Sequence, residues 1–362
     1  MLLRVLFAGG GTGGHLFPGI AVARALVNRY PDADIVFAGT GRGVEARTVV
    51  KEGFVFKRIR STGLVGKSIA GRLYALVLAP ITLLDTGRIL LQARPDLVVG
   101  LGGYSAGPVV LLASLMGKTT MLLEQNAVPG MTNRLLASFV KAAAVSFEDT
   151  AIFFGDKAFV SGNPVRKGFF NKSDFQVSTS RRPHVLVVGG SQGAHAINEA
   201  MVAAAPVLAQ MSDRVEITHQ TGAVDLDAVR AAYRCAGIDA KVECFFDLME
   251  EEMHAADLVV CRAGATTLAE VAAAGKPSLI VPFPYAAHDH QRGNAQVMVE
   301  AGSAVLIDEI DLGACFETRL LDLIGNRERL KVMSQAAFRL ARPDAAEKIV
   351  DRVTELLNLS TS

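Results

Sequence analysis

A twelve-residue pattern occurs twice in this chain. Arg4–His15 reads RVLFAGGGTGGH, and His184–His195 reads HVLVVGGSQGAH. Six of the twelve positions coincide without a gap: a valine, a leucine, three glycines and the closing histidine. Each copy opens on an apolar run of strand length and breaks into glycines where a helix is to begin. Strand, glycine turn and helix open a doubly wound α/β domain. Restarting that unit in the second half predicts two such domains, and 362 residues are too many for one ordinary core.

Composition narrows the class. Half of the residues are hydrophobic and a fifth are charged, which gives a globular chain. Mean hydropathy is high at +0.32, yet the longest apolar stretch, Leu73–Leu84, is interrupted by Pro80 and falls short of the ~20 residues of a membrane span. Lys and Arg number 37 against 36 Asp and Glu, so bulk charge points to no nucleic-acid partner. The cysteines, Cys235, Cys244, Cys261 and Cys315, have neither metal nor redox spacing and read as small buried side chains of a reducing compartment. The opening MLLRVLFAGGG is too short an apolar run for a signal peptide. A cytoplasmic protein is expected.

Taken in order, a helix is predicted over Phe17–Asn28 and a strand over Asp34–Ala38. Gly9, Gly11 and Gly14 satisfy the dinucleotide pattern, but the second strand ends in Gly39-Thr40. A dehydrogenase would place Asp or Glu there for the adenosine ribose, so NAD is not expected. A strand at Asp96–Gly100 leads to the glycine turn Gly102–Pro108, and another at Thr120–Leu123 ends in Glu124-Gln125-Asn126. Such strand ends line one crevice in an open α/β sheet; tight turns alone would explain one of them better than three. Ser161–Pro183 is polar and basic and reads as an interdomain linker. Strands at Glu216–Gln220 and Val242–Phe246 flank a helix at Asp225–Cys235, and a broken helix fills Arg327–Leu357. There is no Walker-A lysine loop, and the acidic pairs Asp32/Asp34 and Asp225/Asp227 sit at segment starts as caps or turns. Phosphoryl transfer from ATP and a metal-held diphosphate are therefore not expected.

The densest chemistry lies in Asp257–Ala295. A buried strand, Leu258-Val259-Val260, turns through Gly264 into a helix start at Thr266-Thr267-Leu268-Ala269-Glu270; a second strand, Ser278–Pro282, runs into His288-Asp289-His290-Gln291. A helix start at a strand's carboxyl end suits a diphosphate. Thr266 and Thr267 add hydroxyls, Arg262 a fixed positive charge, and Glu270 a carboxylate for two ribose hydroxyls; Gln291 reaches what the diphosphate carries. This reads as a nucleotide-sugar site. Thr267-x-x-Glu270 is equally a capping box, which would satisfy helix-end donors and nothing else.

Six motifs occur together: GGGTGGH at Gly9–His15, GGYSAG at Gly102–Gly107, EQNAVPG at Glu124–Gly130, GNPVR at Gly162–Arg166, GGSQGA at Gly189–Ala194 and RAGATTLAE at Arg262–Glu270. The set resembles the MurG family, bacterial transferases that move N-acetylglucosamine (GlcNAc) from UDP-GlcNAc to lipid I, giving lipid II in peptidoglycan synthesis. The resemblance covers nearly the whole chain. It implies a GT-B fold of two Rossmann-like domains facing across a cleft: residues 1–162 as an acceptor and membrane-facing domain joined by a C-terminal helix at 343–362, and residues 163–342 as the donor domain. It implies an inverting reaction at the C4 hydroxyl of the lipid-linked N-acetylmuramoyl-pentapeptide, with no metal and no cofactor. By motif, Ser191 and the helix start Ala265, Thr266, Thr267, Leu268, Ala269 and Glu270 hold the donor, with Arg166 on the diphosphate and Glu270 on the ribose. Phe246 lies by the uracil, Asn126 and Gln291 touch the GlcNAc, and Thr12, Gly13 and Gly14 close over the donor. Position 246 is a departure from the family pattern, and the loop after Asp289 varies within the family.

His15 is the candidate base, since a histidine ordinarily titrates near working pH; the other reading is that it only hydrogen-bonds the loop or the acceptor. Arg72–Leu91 is apolar with basic ends and follows Lys57, Arg58, Arg60 and Lys67. It suits a peripheral patch on the anionic cytoplasmic leaflet of the inner membrane, or else an ordinary core helix. Cell-wall and division proteins are candidate partners. Two other readings compete with transfer: a UDP-GlcNAc 2-epimerase, which needs acids and bases around the sugar's C2, and a non-catalytic nucleotide-sugar binder.

Overall fold

The computed structural model describes residues 2–11, 13–41, 45–63, 69–170, 182–190, 192–211, 215–286 and 289–359, with side chains of 69–76 not included. It divides into two compact units. One comprises Met1–Arg166 with Asp344–Ser362, and the other Lys167–Pro343.

The first unit holds a seven-stranded parallel sheet: β1 (Arg4–Gly9), β2 (Asp34–Gly39), β3 (Val55–Arg58), β4 (Leu97–Gly102), β5 (Thr119–Glu124), β6 (Ala142–Val145) and β7 (Ala158–Val160). Its order is β3-β2-β1-β4-β5-β6-β7. The helices are α1 (Gly13–Arg29), α2 (Glu45–Lys51), α3 (Ile69–Ala93), α4 (Ala106–Leu115), α5 (Met131–Leu136) and α6 (Glu148–Phe154). Strands covered on both faces are apolar along their length, which is why β1 and β4 read as continuous runs. Leu6 sits in register between Val36 and Val98, and Phe7 stacks on Phe37 at 4.9 Å.

The second unit repeats the plan. β8 (His184–Val188), β9 (Glu216–Gln220), β10 (Ala240–Glu243), β11 (Leu258–Cys261), β12 (Ser278–Ile280) and β13 (Ala304–Leu306) form a parallel sheet in the order β10-β9-β8-β11-β12-β13. Between and after them run α7 (His195–Leu208), α8 (Leu226–Cys235), α9 (Met249–Ala255), α10 (Ala265–Ala273), α11 (His290–Glu300), α12 (Leu312–Gly325) and α13 (Arg327–Leu340). The two copies of the sequence repeat thus become β1 and β8, each central in its sheet. In both sheets the strand order reverses beside that strand, between β1 and β4 and between β8 and β11, where open α/β sheets bind their ligands.

The last helix, α14 (Ala345–Leu356), returns to the first unit. Ile349, Val350 and Val353 are fully buried in the core that holds Phe7 and Leu16. The Tyr30 hydroxyl and Thr354 Oγ1 lie 2.7 Å apart, and Arg29 pairs with Glu347 and Asp351.

Local boundaries differ from the sequence reading in instructive ways. Helix α1 starts at Gly13, a turn before Phe17, because poor helix formers at its start conceal it. β10 stops at Glu243, so Phe246 belongs to the following turn. Ser161–Pro164 are buried in the first unit and Phe169 is fully buried. The start of the stretch read as a linker is therefore packed chain; residues 171–181 of it lie outside the described residues.

Candidate functional site

In the first unit, the ends of β1, β4 and β5 bring His15, Gly102 and Gln125 together. Starting at Gly13 puts His15 in the first turn of α1, where it is half-buried. Its Nδ1 lies 3.0 Å from Gln125 Oε1, and Gln125 Nε2 donates to the Leu101 carbonyl at 3.3 Å. Gly102 has φ +97°, and a Cβ there would stand 3.0 Å from the His15 ring. Glycine both accepts that backbone and leaves the ring its place.

Beneath the glycine turn lies a carboxylate that sequence reasoning missed. Glu45, the first residue of α2, is buried. It accepts from Gly11 N at 3.3 Å, Gly41 N at 2.8 Å and Thr40 Oγ1 at 3.2 Å. Burial raises its carboxyl above the usual range, against the hydrogen bonds, which lower it. A Cβ on Gly10 would come within 2.5 Å of Glu45 Oε1, and one on Gly39 within 1.9 Å. The strand-end glycine that argued against NAD is thus required by an acid coming from beyond it.

Glu124, the last residue of β5, organises the next loop. It accepts from the backbone and side-chain nitrogens of Asn126, both at 3.1 Å, from Gly130 N at 2.9 Å and from Asn133 Nδ2 at 2.9 Å. The Asn126 amide is thereby oriented with its nitrogen inward. Arg166 lies over the Phe17 ring at 4.8 Å. Gly13 and Gly14 are the first residues of α1, and Thr12 lies outside the described residues.

In the second unit, the carboxyl ends of β10, β9, β8, β11 and β12 stand side by side. The turn after β8 rests on the turn after β9: Gly189 N donates to Gln220 O at 3.0 Å, and a Cβ on Gly193 would lie 2.2 Å from Thr221 O. Ser191, within this turn, is outside the described residues. A buried polar chain backs it. The orientation of each group follows from its neighbours: Tyr233 OH donates to His219 Nδ1 (2.9 Å), His219 Nε2 to Asn198 Oδ1 (3.0 Å), and Asn198 Nδ2 to Thr221 O (3.0 Å) and Asp225 Oδ2 (2.7 Å). Burial lowers the His219 pKa to about 3, so the imidazole is neutral. Asp225 also accepts from His195 Nδ1 at 3.0 Å. The bonds from Asn198 and His195 hold its carboxyl below the usual range, and Asp225 raises His195 above its own. The pair Asp225/Asp227 was read as a cap or turn; Asp225 stands at the α8 N-cap but makes no capping bond there.

Helix α10 resolves the capping question. Its N-cap is Gly264, and no side chain caps it. Thr267 and Glu270 both lie inside the helix, so they do not form the capping box. The first internal bond is Leu268 N to Gly264 O at 2.9 Å. Ala265, Thr266 and Thr267 precede that bond and make up the positive end of the helix dipole. The Leu268 side chain is core, Thr266 is buried, and Thr267, Ala269 and Glu270 are half-buried.

Gln291, at the start of α11, fastens this turn. Its Oε1 accepts from Ala263 N at 3.1 Å and Phe283 N at 3.0 Å, and Asn294 Nδ2 donates to Ala263 O at 3.1 Å. Both backbone bonds thus engage the carbonyl end of the Gln291 amide. Arg262 does not supply the fixed charge expected of it. Its guanidinium donates to Val281 O and Pro282 O at 3.3 and 3.2 Å and pairs with Glu309. An ion pair and two carbonyls next to the residue compensate its charge. Phe246 is buried, with Lys241 Nζ 5.2 Å from its ring centre. Among the described residues no cluster of His, Cys, Asp and Glu could hold a metal ion.

Two Rossmann-like units, each with glycine turns at its switch point, make up the GT-B fold, and the family matches make the chain a glycosyltransferase. The family described as "Glycosyltransferase family 28 N-terminal domain" matches residues 5–145, and "Glycosyltransferase family 28 C-terminal domain" matches residues 184–349. The chain belongs to glycosyltransferase family 28 and, within it, to the MurG family. It is 48% identical to the UDP-N-acetylglucosamine–N-acetylmuramyl-(pentapeptide) pyrophosphoryl-undecaprenol N-acetylglucosamine transferase of Anaeromyxobacter sp. (strain K), over 98% of this chain and 93% of that protein. The crystal structure of Acinetobacter baumannii MurG aligns with TM-score 0.76 and 30% identity, covering 98% and 99% of the two chains. A putative UDP-N-acetylglucosamine 2-epimerase from Listeria monocytogenes aligns at TM-score 0.71 over 100% and 99%, but at 15% identity it shares the fold alone.

Proposed function

We propose that this protein transfers GlcNAc from UDP-GlcNAc, with inversion, to the C4 hydroxyl of undecaprenyl-pyrophosphoryl-MurNAc-pentapeptide. The observation that carries the reading is the start of α10 at the carboxyl end of β11, next to the turn after β8 and fastened by Gln291. A helix start at the carboxyl end of a strand turns the positive end of the helix dipole toward a diphosphate, and favours most of all one gaining charge as it leaves. Relatives at this level of identity bear the transferase name, which favours transfer over epimerisation.

The donor roles are these. Ser191, Ala265, Thr266 and Thr267 bind the diphosphate, with Arg166 assisting, and Leu268 and Ala269 complete the turn. Glu270 accepts the ribose hydroxyls, Phe246 borders the uracil, Asn126 and Gln291 meet the GlcNAc, and Thr12, Gly13 and Gly14 cover the donor. In the reaction His15 takes the proton from the acceptor's C4 hydroxyl. The oxygen forms its bond to the anomeric carbon as the bond to UDP breaks, and UDP leaves with the electron pair.

The lipid-linked acceptor requires access to a bilayer. No described helix is long and apolar enough to cross a membrane. The exposed face of α3 supports peripheral docking on anionic lipid of the cytoplasmic leaflet: Val77, Leu84 and Leu91, spaced by sevens, are 74%, 61% and 66% exposed. Arg88, Lys57 and Arg58 are exposed as well. Lys67 and the side chains of Arg72, Leu73 and Leu76 lie outside the described residues.

Incubation with UDP-GlcNAc, with and without a lipid I analogue, tests the activity. UDP release that requires acceptor is the expected result; N-acetylmannosamine would mean epimerisation, and neither product a binder. Glu270→Ala should weaken UDP binding by about 1.5–3 kcal/mol, and unchanged affinity would remove Glu270 from the ribose.

A further inference from the structure

We propose that Gln125 is a positioning residue that fixes the tautomer of His15, placing the proton on Nδ1 and leaving the Nε2 lone pair as the atom that takes the acceptor's proton. The proposal rests on His15 as the base. Its evidence is one directional chain. The Leu101 carbonyl can only accept, so the group of Gln125 that faces it at 3.3 Å is the amide nitrogen. The other end of the amide, Oε1, then faces His15 Nδ1 at 3.0 Å and can also only accept. Nδ1 must supply the proton. Turning the amide over would set carbonyl against carbonyl at Leu101, and the buried Leu101 oxygen would lose its donor.

Neither partner is free to rearrange. Gln125 is 2% exposed and Leu101 is fully buried. The His15 ring lies against Gly102, where only a missing Cβ gives it room.

The chain carries its own control for the choice of an amide. The sequence repeat sets His195 where the first copy has His15, and its Nδ1 also meets an acceptor, here the Asp225 carboxylate. That carboxylate raises His195 above the usual range, toward a cation that cannot act as a base. Gln125 gives the same orientation without a charge. Glu45 at the start of α2 and Glu124 at the end of β5 are turned elsewhere: Glu45 toward Gly11, Thr40 and Gly41, and Glu124 toward Asn126, Gly130 and Asn133.

The test combines nitrogen-15 chemical shifts of His15 with pH–rate profiles for wild type, Gln125→Leu and the isosteric Gln125→Glu. Wild type is expected to show a protonated Nδ1 and an unprotonated Nε2, and Gln125→Leu to lose that preference. In Gln125→Leu kcat should fall, by no more than the ~10²–10⁴-fold that a general base contributes, with donor KM unchanged. Gln125→Glu should keep the tautomer and move the acidic limb of the profile up by about 1–3 pH units, as an opposite charge at this range does. A wild-type proton on Nε2, an unchanged tautomer in Gln125→Leu, or an unmoved limb in Gln125→Glu overturns the proposal. A tautomer lost with kcat intact instead overturns His15 as the base, and the catalytic consequence drawn here goes with it.

Discussion

Glu45 shows how much of a glycine motif can be decided by a residue outside it. Its two oxygens gather donors from both sides of the turn. Glu45→Gln keeps the shape but turns an N–H toward donors, leaving buried groups unpaired at about 1–3 kcal/mol. The first unit should melt lower by several degrees, and a calorimetric trace identical to wild type would deny the carboxylate this role. His219 makes a pH prediction. Its folded pKa is about 3, against about 6.5 for an unfolded histidine, so between those values the unfolded chain binds the extra proton. Its contribution is present in full above about pH 6.5 and declines as pH falls, by up to about 1.4 kcal/mol per unit. Urea midpoints from pH 7 to pH 4 should fall for wild type and flatten for His219→Gln; parallel slopes would show that His219 titrates freely. Neither residue was legible in the sequence. Glu45 lies six residues past the end of its strand, and His219 sits in the strand Glu216–Gln220 while its polar partners, Asn198 and Tyr233, come from two helices. Gln125 stood inside a recognised motif, but its role needed Leu101, which no pattern near it names.

Elements were legible where a buried strand meets a glycine. Both repeats and the β11–α10 turn could be read because a strand covered on two faces must be apolar and its exit must turn sharply. Helix ends were not. The start of α10 is one such case: hydroxyls at Thr266 and Thr267 suggest a cap, but the backbone enters the helix at Gly264, and the cap lies before them. In α3 the sequence left core and membrane surface open, and the helix has one buried face and one exposed apolar face. Thr86 and Leu90 are buried, Thr82 donates to Arg60 O at 2.6 Å, and the 77, 84, 91 stripe faces outward. Arg60 forms a bidentate pair with Asp85 at 2.7 and 2.9 Å, so its charge is already engaged; Lys57, Arg58 and Arg88 remain as the described cations of the patch. Each near an anionic surface contributes about 1 kcal/mol. Binding should favour anionic over zwitterionic vesicles and weaken with salt. Leu84→Glu with Leu91→Glu should abolish it and spare turnover of a short-chain acceptor, since both side chains are exposed. Loss of short-chain turnover alongside vesicle binding would return the stripe to a folding role.

At the scale of the whole molecule, the double plan was readable because each unit announces itself with the same opening. The return of α14 was not: its burial pattern is that of any amphipathic helix, and only the family resemblance gave its destination. Three fully buried side chains, Ile349, Val350 and Val353, each contribute about 1.5–3 kcal/mol by burial, against a total stability of about 5–15 kcal/mol for a domain. A chain ending at Pro343 should therefore lose protection from hydrogen exchange in β1 and β2 while β8 and β11 keep theirs; equal protection in both sheets would contradict this account. The same feature sets an order of assembly during synthesis. Lys167–Pro343 is one unbroken stretch, so it can finish folding as it leaves the ribosome. The first unit must wait, with its core over Leu16 and Phe7 still uncovered, until α14, made after the second unit, arrives to close it. During that interval the nascent chain exposes a ready-made apolar surface to chaperones, and how long it does so depends on how fast the intervening 167–343 is translated.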